Sequence, residues 1–238
     1  LKQLLLPNTQ HLIIFSKDIF VGDILKSFSD NAFDARKKYS GFITINGFIL
    51  SISDTFLDYT YVSIGTEETF SMEGIVLRNI NDKVILNLNK GDKITVKGEL
   101  KEKAMDGIAF DVSKVITKIN YKEYKPPNSS KKNPISVSKI MNNKEKNYLR
   151  AKHLYGNREI YINGLSGNMY EEEDWDNKKI YNLKLFKLDQ DPEEMDWADN
   201  MVVEFTDPKI ADELSSGNKM IISGKLTVEG LIVKESKI

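Results

Sequence analysis

Two histidines are all that this 238-residue chain offers for proton shuttling or imidazole ligation, and it has no cysteine. His11 lies in an N-terminal tail and His153 at the end of a helical pattern, so neither a Ser-His-Asp constellation nor a histidine or thiolate metal cluster can be assembled from them. The run from Gly217 to Gly224-Lys225 has the glycines and lysine of a phosphate loop, but six residues separate the glycines instead of four. The residues between them alternate as a strand does, which removes the backbone cradle that phosphate needs. Two acidic clusters, Glu171 to Asp176 and Asp189 to Asp196, offer carboxylates to a hard cation. They lack the alternating oxygens and mid-loop glycine of a calcium hand and read first as solvated loops. The expectation is a binding protein, not an enzyme, with no catalytic residue, no cofactor and no metal.

The chemistry that remains is recognition through aromatic and charged surface groups. Val62 and Ile64 set the inward parity of one strand, which turns Tyr59 and Tyr61 outward as stacking platforms; Thr44 shares their face and Lys97 lies near its edge. These four are the candidate contacts for single-stranded nucleic acid. The plainer reading packs both tyrosines under a helix or a neighbouring domain. A second set consists of Tyr161, Lys184 and Phe186 at the corresponding strand positions further along, with Trp175 and Trp197 beside the acidic clusters. Tryptophan among carboxylates suits a basic protein partner, because tryptophan is enriched at interfaces. The lysines and arginines at 131, 132, 139, 144, 146, 150, 152 and 158 form a further electropositive stretch, read first as a solvated helix face.

Positioning those groups requires elements, and the chain states its elements twice. Ile43-Thr44-Ile45-Asn46-Gly47 returns as Ile160-Tyr161-Ile162-Asn163-Gly164, and Gly91 to Gly98 returns as Gly217 to Gly224, in the same order. Ile24 and Ile140, Ala35 and Ala151, and Tyr39 and Tyr155 stand at one constant offset, so a helix precedes each copy of the strand pattern. Gly47 and Gly164 sit inside their strands, as at a tight bend or bulge. Further strands are predicted at 59–64, 70–77, 93–100 and 108–116, then at 180–188, 201–205, 219–226 and 231–236. Asp207-Pro208 predicts a short helix before the last pair. Lys125 to Pro134, rich in proline, serine and lysine, reads as a linker. The expected division is a helix and barrel over residues 1–125, a linker over 126–134, and a second helix and barrel over 135–238, each copy large enough to fold alone.

Charge is uneven along this plan. Residues 1–125 carry 17 Lys and Arg against 16 Asp and Glu, residues 126–160 carry 8 against 2, and residues 161–238 carry 9 against 17. A polyanion is drawn to the middle and repelled by the last third. No apolar run reaches the roughly 20 residues of a membrane helix. Leu1 in place of methionine suggests a trimmed start, with room for a removed export signal.

A bent, glycine-bearing first strand and a Gly-Asp-Lys-Ile-Thr-Val-Lys-Gly fourth strand in a set of five look like the OB-fold, a Greek-key barrel. More narrowly, Phe33 to Gly41 running into Ile43 to Gly47, then Lys90 to Gly98, resembles the bacterial tRNA_anti-like OB family. The resemblance covers residues 24–116 well and 140–236 more faintly. It implies a mainly β chain of two tandem five-stranded OB barrels, each preceded by a helix. It also implies a nucleic-acid ligand, carried by the family's name, and an extracytoplasmic or membrane-anchored setting, since many members are predicted lipoproteins. Two partners follow as expectations: single-stranded nucleic acid on the first barrel, or a protein engaged by the acidic second one.

Overall fold

A computed structural model describes residues 18–54, 60–67, 74–103, 107–174, 176–190, 200–207, 209, 216–228 and 230–238. The first half runs β1 (Ile19–Phe20), α1 (Val21–Lys38), β2 (Phe42–Asp54), β3 (Thr60–Gly65), β4 (Ile75–Arg78), α2 (Asp82–Ile85), β5 (Lys93–Lys103) and β6 (Gly107–Val115). The second half runs β7 (Ile135–Ser136), α3 (Val137–Lys146), α4 (Tyr148–Tyr155), β8 (Glu159–Glu173), β9 (Lys179–Phe186), β10 (Met201–Phe205), β11 (Lys219–Thr227) and β12 (Ile232–Lys237).

The first sheet has the order β2-β3-β4-β6-β5 and closes because β5 pairs back onto β2. The second repeats it as β8-β9-β10-β12-β11, closed by β11 on β8. In each barrel the third and fifth strands run parallel, β4 with β6 and β10 with β12, while the remaining barrel pairs are antiparallel. That is the five-stranded OB topology. A two-residue strand joins each barrel from outside, and even its register repeats: Ile19 faces Ile45 as Ile135 faces Ile162.

The alternation that predicted the opening strands holds, with Ile45 and Ile162 fully buried in separate hydrophobic cores. Gly47 stays within β2 because a Cβ there would come within 2.7 Å of Val21 and 3.1 Å of the Gly65 carbonyl. A Cβ on Gly164 would meet the Phe186 carbonyl at 2.6 Å. The bend itself falls just beyond each glycine, as register shifts between Ile49 and Ser51 and between Ser166 and Met169. β4 begins at Ile75, and residues 70–73 of the strand expected there, the N-terminal tail with His11 and the expected helix around Ile210 to Leu214 lie outside the described residues. The first barrel holds a helix that the pattern did not reveal, α2, capped by the Asn81 side chain.

The helix before each barrel is broken. Asn31 inside α1 has φ −159 and ψ 101, and Asn147 between α3 and α4 has φ −163 and ψ 101. Both are extended residues that interrupt a helix, and each cap accepts backbone N–H bonds on its side-chain oxygen: Asn31 from Phe33 and Asp34, Asn147 from Arg150. The two kinks differ in what they touch. Asn147 is 1% exposed and donates both amide hydrogens across to the first half, to the carbonyls of Ile85 and Leu88 at 2.7 Å. Arg150, 6% exposed, donates to the Leu86 and Leu88 carbonyls and to Asn89 Oδ1, and its guanidinium lies 4.5 Å from the centre of the Tyr124 ring. The carbonyls ending α2 thereby gain the donors that a short helix lacks. Leu149 packs against the first core, so the second half plugs onto the first barrel.

Residues 116–134 contain no strand or helix beyond the isolated Ser130–Asn133 bridge. They do not hang free. Tyr124 packs against the second core, its carbonyl bonds His153 Nε2 at 2.8 Å, and Ser129 accepts from the Tyr161 backbone.

Candidate functional site

The outer wall of the first barrel is built by β2, β5 and β6. With Ile43 packed against the core and Ile45 buried in it, the other parity of β2 points outward and carries Phe42, Thr44 and Asn46. Phe42 is 63% exposed. Across the ladder Thr44 faces Lys97, and Lys97 faces Lys114 on β6. Both lysines are exposed, and among the described residues neither ammonium has an ion-pair partner. Two like charges directly opposite on a sheet repel. Phe42 sits diagonally from Lys97, within reach of one bound group. At the Phe42 end of the wall, where Phe42 faces Glu99, the charges are already matched: Arg78 bonds Asp111 through Nε at 2.7 Å, and Lys101 pairs with Glu99 at 2.5 Å. That pairing raises the Lys101 pKa, first through the hydrogen bond the ammonium donates to Glu99 and then through the carboxylate's charge.

The candidate residues distribute unevenly over this geometry. Lys97 is exposed on the wall as expected. Tyr61 is half-buried on β3, opposite Ser53, with Val62 and Ile64 inward as the parity required. Thr44 points to the expected side yet is only 5% exposed, so the expectation of an open contact there is corrected. Tyr59 lies outside the described residues, as do Trp175 and Trp197. Tyr161 and Lys184 are half-buried on β8 and β9. Phe186 is 1% exposed and is corrected as a surface group: it packs against Leu165 under the bulge of β8, where a Cβ on Gly167 would strike its ring. The wall's aromatic, Phe42, was missed, although it stands two residues before Thr44 and shares its parity. Arg150, counted among solvated basic residues, is a buried bond donor, and burial lowers its pKa.

Residues 15–114 match the tRNA_anti-like family. The match runs to the end of β6 and so covers the first barrel with its helix. The matched segment is therefore the one that holds the exposed wall. No curated protein matches the chain. Among solved structures, the wild-type single-stranded DNA-binding protein from Thermus aquaticus matches at 11% identity over 82% of this chain and 91% of that one, with a TM-score of 0.24. So low a score carries no argument, and the fold rests on the strand order above. The family match and the strand order agree on a barrel of OB type. Among the described residues no group of three or more His, Asp or Glu side chains is arranged to hold a metal ion. No helix among them is long and apolar enough to cross a membrane.

Proposed function

We propose that the chain binds single-stranded nucleic acid through the outer wall of its first barrel, with the boundary between its two units in residues 126–134. The observation that carries this reading is the Lys97–Lys114 pair beside exposed Phe42. Like charges held face to face are relieved by an anion, and an exposed ring beside them offers a stacking surface worth about 1–3 kcal/mol per base. The tRNA_anti-like match supports the ligand class by its name, and the Thermus aquaticus neighbour is titled a single-stranded DNA-binding protein, though the likeness to it is too slight to add weight. Tyr61 extends the wall toward β3.

The test is a fluorescence anisotropy titration of labelled single strands at low and moderate salt. Affinity falls as salt rises, with about 0.7 of log-log slope per neutralised phosphate. The Phe42→Ala variant weakens binding at every salt concentration, whereas Lys97→Ala weakens it and flattens the slope. No binding at low salt removes the proposal.

A second reading has its own observation. β8 and β9 extend into a hairpin bearing Glu171, Glu172 and Glu173, of which Glu171 is paired to Lys179 and Glu172 accepts from Asn182. On that hairpin Tyr170 is 38% exposed, and the partial desolvation of its phenol, followed by the charges of Glu172 and Glu204, raises its pKa. An aromatic flanked by carboxylates suits a basic protein partner, and such a contact, unlike the wall, loses affinity on Tyr170→Ala.

A further inference from the structure

A cavity of about 380 Å³ lies where α2, the start of β5 and the strap after β6 meet, away from the centre of the wall. Its shape is held by bonds between backbone and side chain. The Lys122 N–H donates to Asn87 Oδ1 at 2.7 Å, and the Thr95 N–H donates to Thr117 Oγ1 at 2.7 Å. Asn89, on its rim, is bonded by Arg150, whose guanidinium also stacks on Tyr124, another lining residue. The second half of the chain thus braces the cavity from behind.

Its charge balance is one-sided. Lys93, Lys118 and Lys122 line it against a single carboxylate, Asp92. That carboxylate is committed, accepting from both the backbone N–H and the side-chain amide of Asn89 at 2.8 and 2.9 Å. Among the described residues the three ammonium groups have no ion-pair partner. Lys93 also shares the outward parity of Lys97, four residues along β5, which separates them by about 13 Å. The volume falls within the roughly 300–1,000 Å³ of small-molecule sites.

We infer that this cavity is a second site, which takes a phosphate-bearing group of nucleotide size: lysines on the phosphate, with the asparagine amides and the Tyr124 ring toward the remainder. The site stands apart from the wall and survives if the wall reading fails. Its ligand has two possible sources, a free mononucleotide or the phosphorylated end of a strand lying along β5.

The test uses the full chain at low salt, with adenosine monophosphate titrated by calorimetry and, separately, labelled single strands with and without a 5′-phosphate. The expected result is saturable mononucleotide binding that weakens at least tenfold in Lys93→Ala/Lys118→Ala and is unchanged in Lys97→Ala/Lys114→Ala. If the mononucleotide does not bind but the 5′-phosphate tightens strand binding several-fold, and Lys93→Ala/Lys118→Ala abolishes that gain, the site belongs to the strand end. Absence of both effects, or binding that Lys93→Ala/Lys118→Ala leaves intact, overturns the inference. All four lysines are exposed, so these variants keep the fold.

Discussion

The two barrels share a strand order and register but not a surface. Where the first barrel presents Phe42, the matching position of the second is Glu159, and where the first has Lys97 the second has Ser223, buried beside Tyr161. At these two positions an aromatic and a cation have been exchanged for a carboxylate and a hydroxyl, and the lysines of the second wall lie elsewhere: Lys225 faces Glu159 on β8 and Lys234 on β12, and Lys234 pairs with Glu204 at 3.7 Å. The kinked helices invert the comparison. Asn147 and Arg150 are buried against the first barrel and Leu149 packs on its core, whereas their counterparts Asn31, Phe33 and Asp34 are exposed, with Phe33 60% open and the Lys37 ammonium 4.1 Å from its ring centre. Asn31 spends its amide hydrogen on Asp34 at 2.9 Å. One scaffold has thus been divided between a unit with an exposed aromatic and lysine pair on its wall and a unit that grips its neighbour.

The grip is where the comparison breaks most visibly. Arg150→Ala or Asn147→Ala strands carbonyls at the end of α2, at roughly 1–3 kcal/mol for each buried group left unsatisfied. Chemical denaturation should therefore show a loss of about 3 kcal/mol for either variant, while Asp34→Ala at the matching position stays within about 0.5 kcal/mol. Equal losses at the two kinks would contradict the assignment of the interface. Next in size is the wall: Lys97→Ala/Lys114→Ala flattens the salt dependence of strand binding by about 1.4 in slope, two phosphates at about 0.7 each. Lys184→Ala on the second barrel leaves that slope alone. Anisotropy titrations across salt measure both.

A charge reversal sharpens the same contrast. Lys114→Glu replaces a repelling cross-strand pair with an attracting one, so stability rises by about 0.2–1 kcal/mol while strand binding falls. A variant that lost stability and binding together would mean that the wall lysines serve only the fold. The smallest effect concerns the second core. Burial raises the pKa of the Tyr155 phenol, and the bond from Asn143 opposes the shift. A raised folded-state pKa means that the unfolded chain ionises first, so stability is full below about pH 10, the ordinary value, and falls above it. Tyr155→Phe removes that alkaline decline in a denaturation series, and the matching Tyr39→Phe serves as the comparison.

Much of this was legible in the residues. The paired Ile-x-Ile-Asn-Gly and Gly-x-Lys segments located the first and fourth strands of both barrels, because period-two alternation and positive-φ glycine turns are local. Gly91 and Gly217 have φ 86 and 84. The constant offset that aligned Ile24 with Ile140 also aligns Asn31 with Asn147, and so marked the kink without revealing its consequence. What stayed hidden depends on long-range contact. Arg150 looks like any basic helix residue until the carbonyls of Leu86 and Leu88 are brought to it from more than 60 residues away. Phe186 reads as an outward aromatic by parity, and only the β8 bulge folds Gly167 over it. Thr44 was placed on the correct face, but parity does not report what covers a face.

Hydrogen exchange of the full chain, with and without a labelled single strand at low salt, bears on the central claim most directly. The account predicts slowed exchange along β2, β5 and β6 around Phe42, Lys97 and Lys114, with β8 and β9 unchanged. Protection confined to the second barrel, or none anywhere under conditions where the strand is bound, would contradict it.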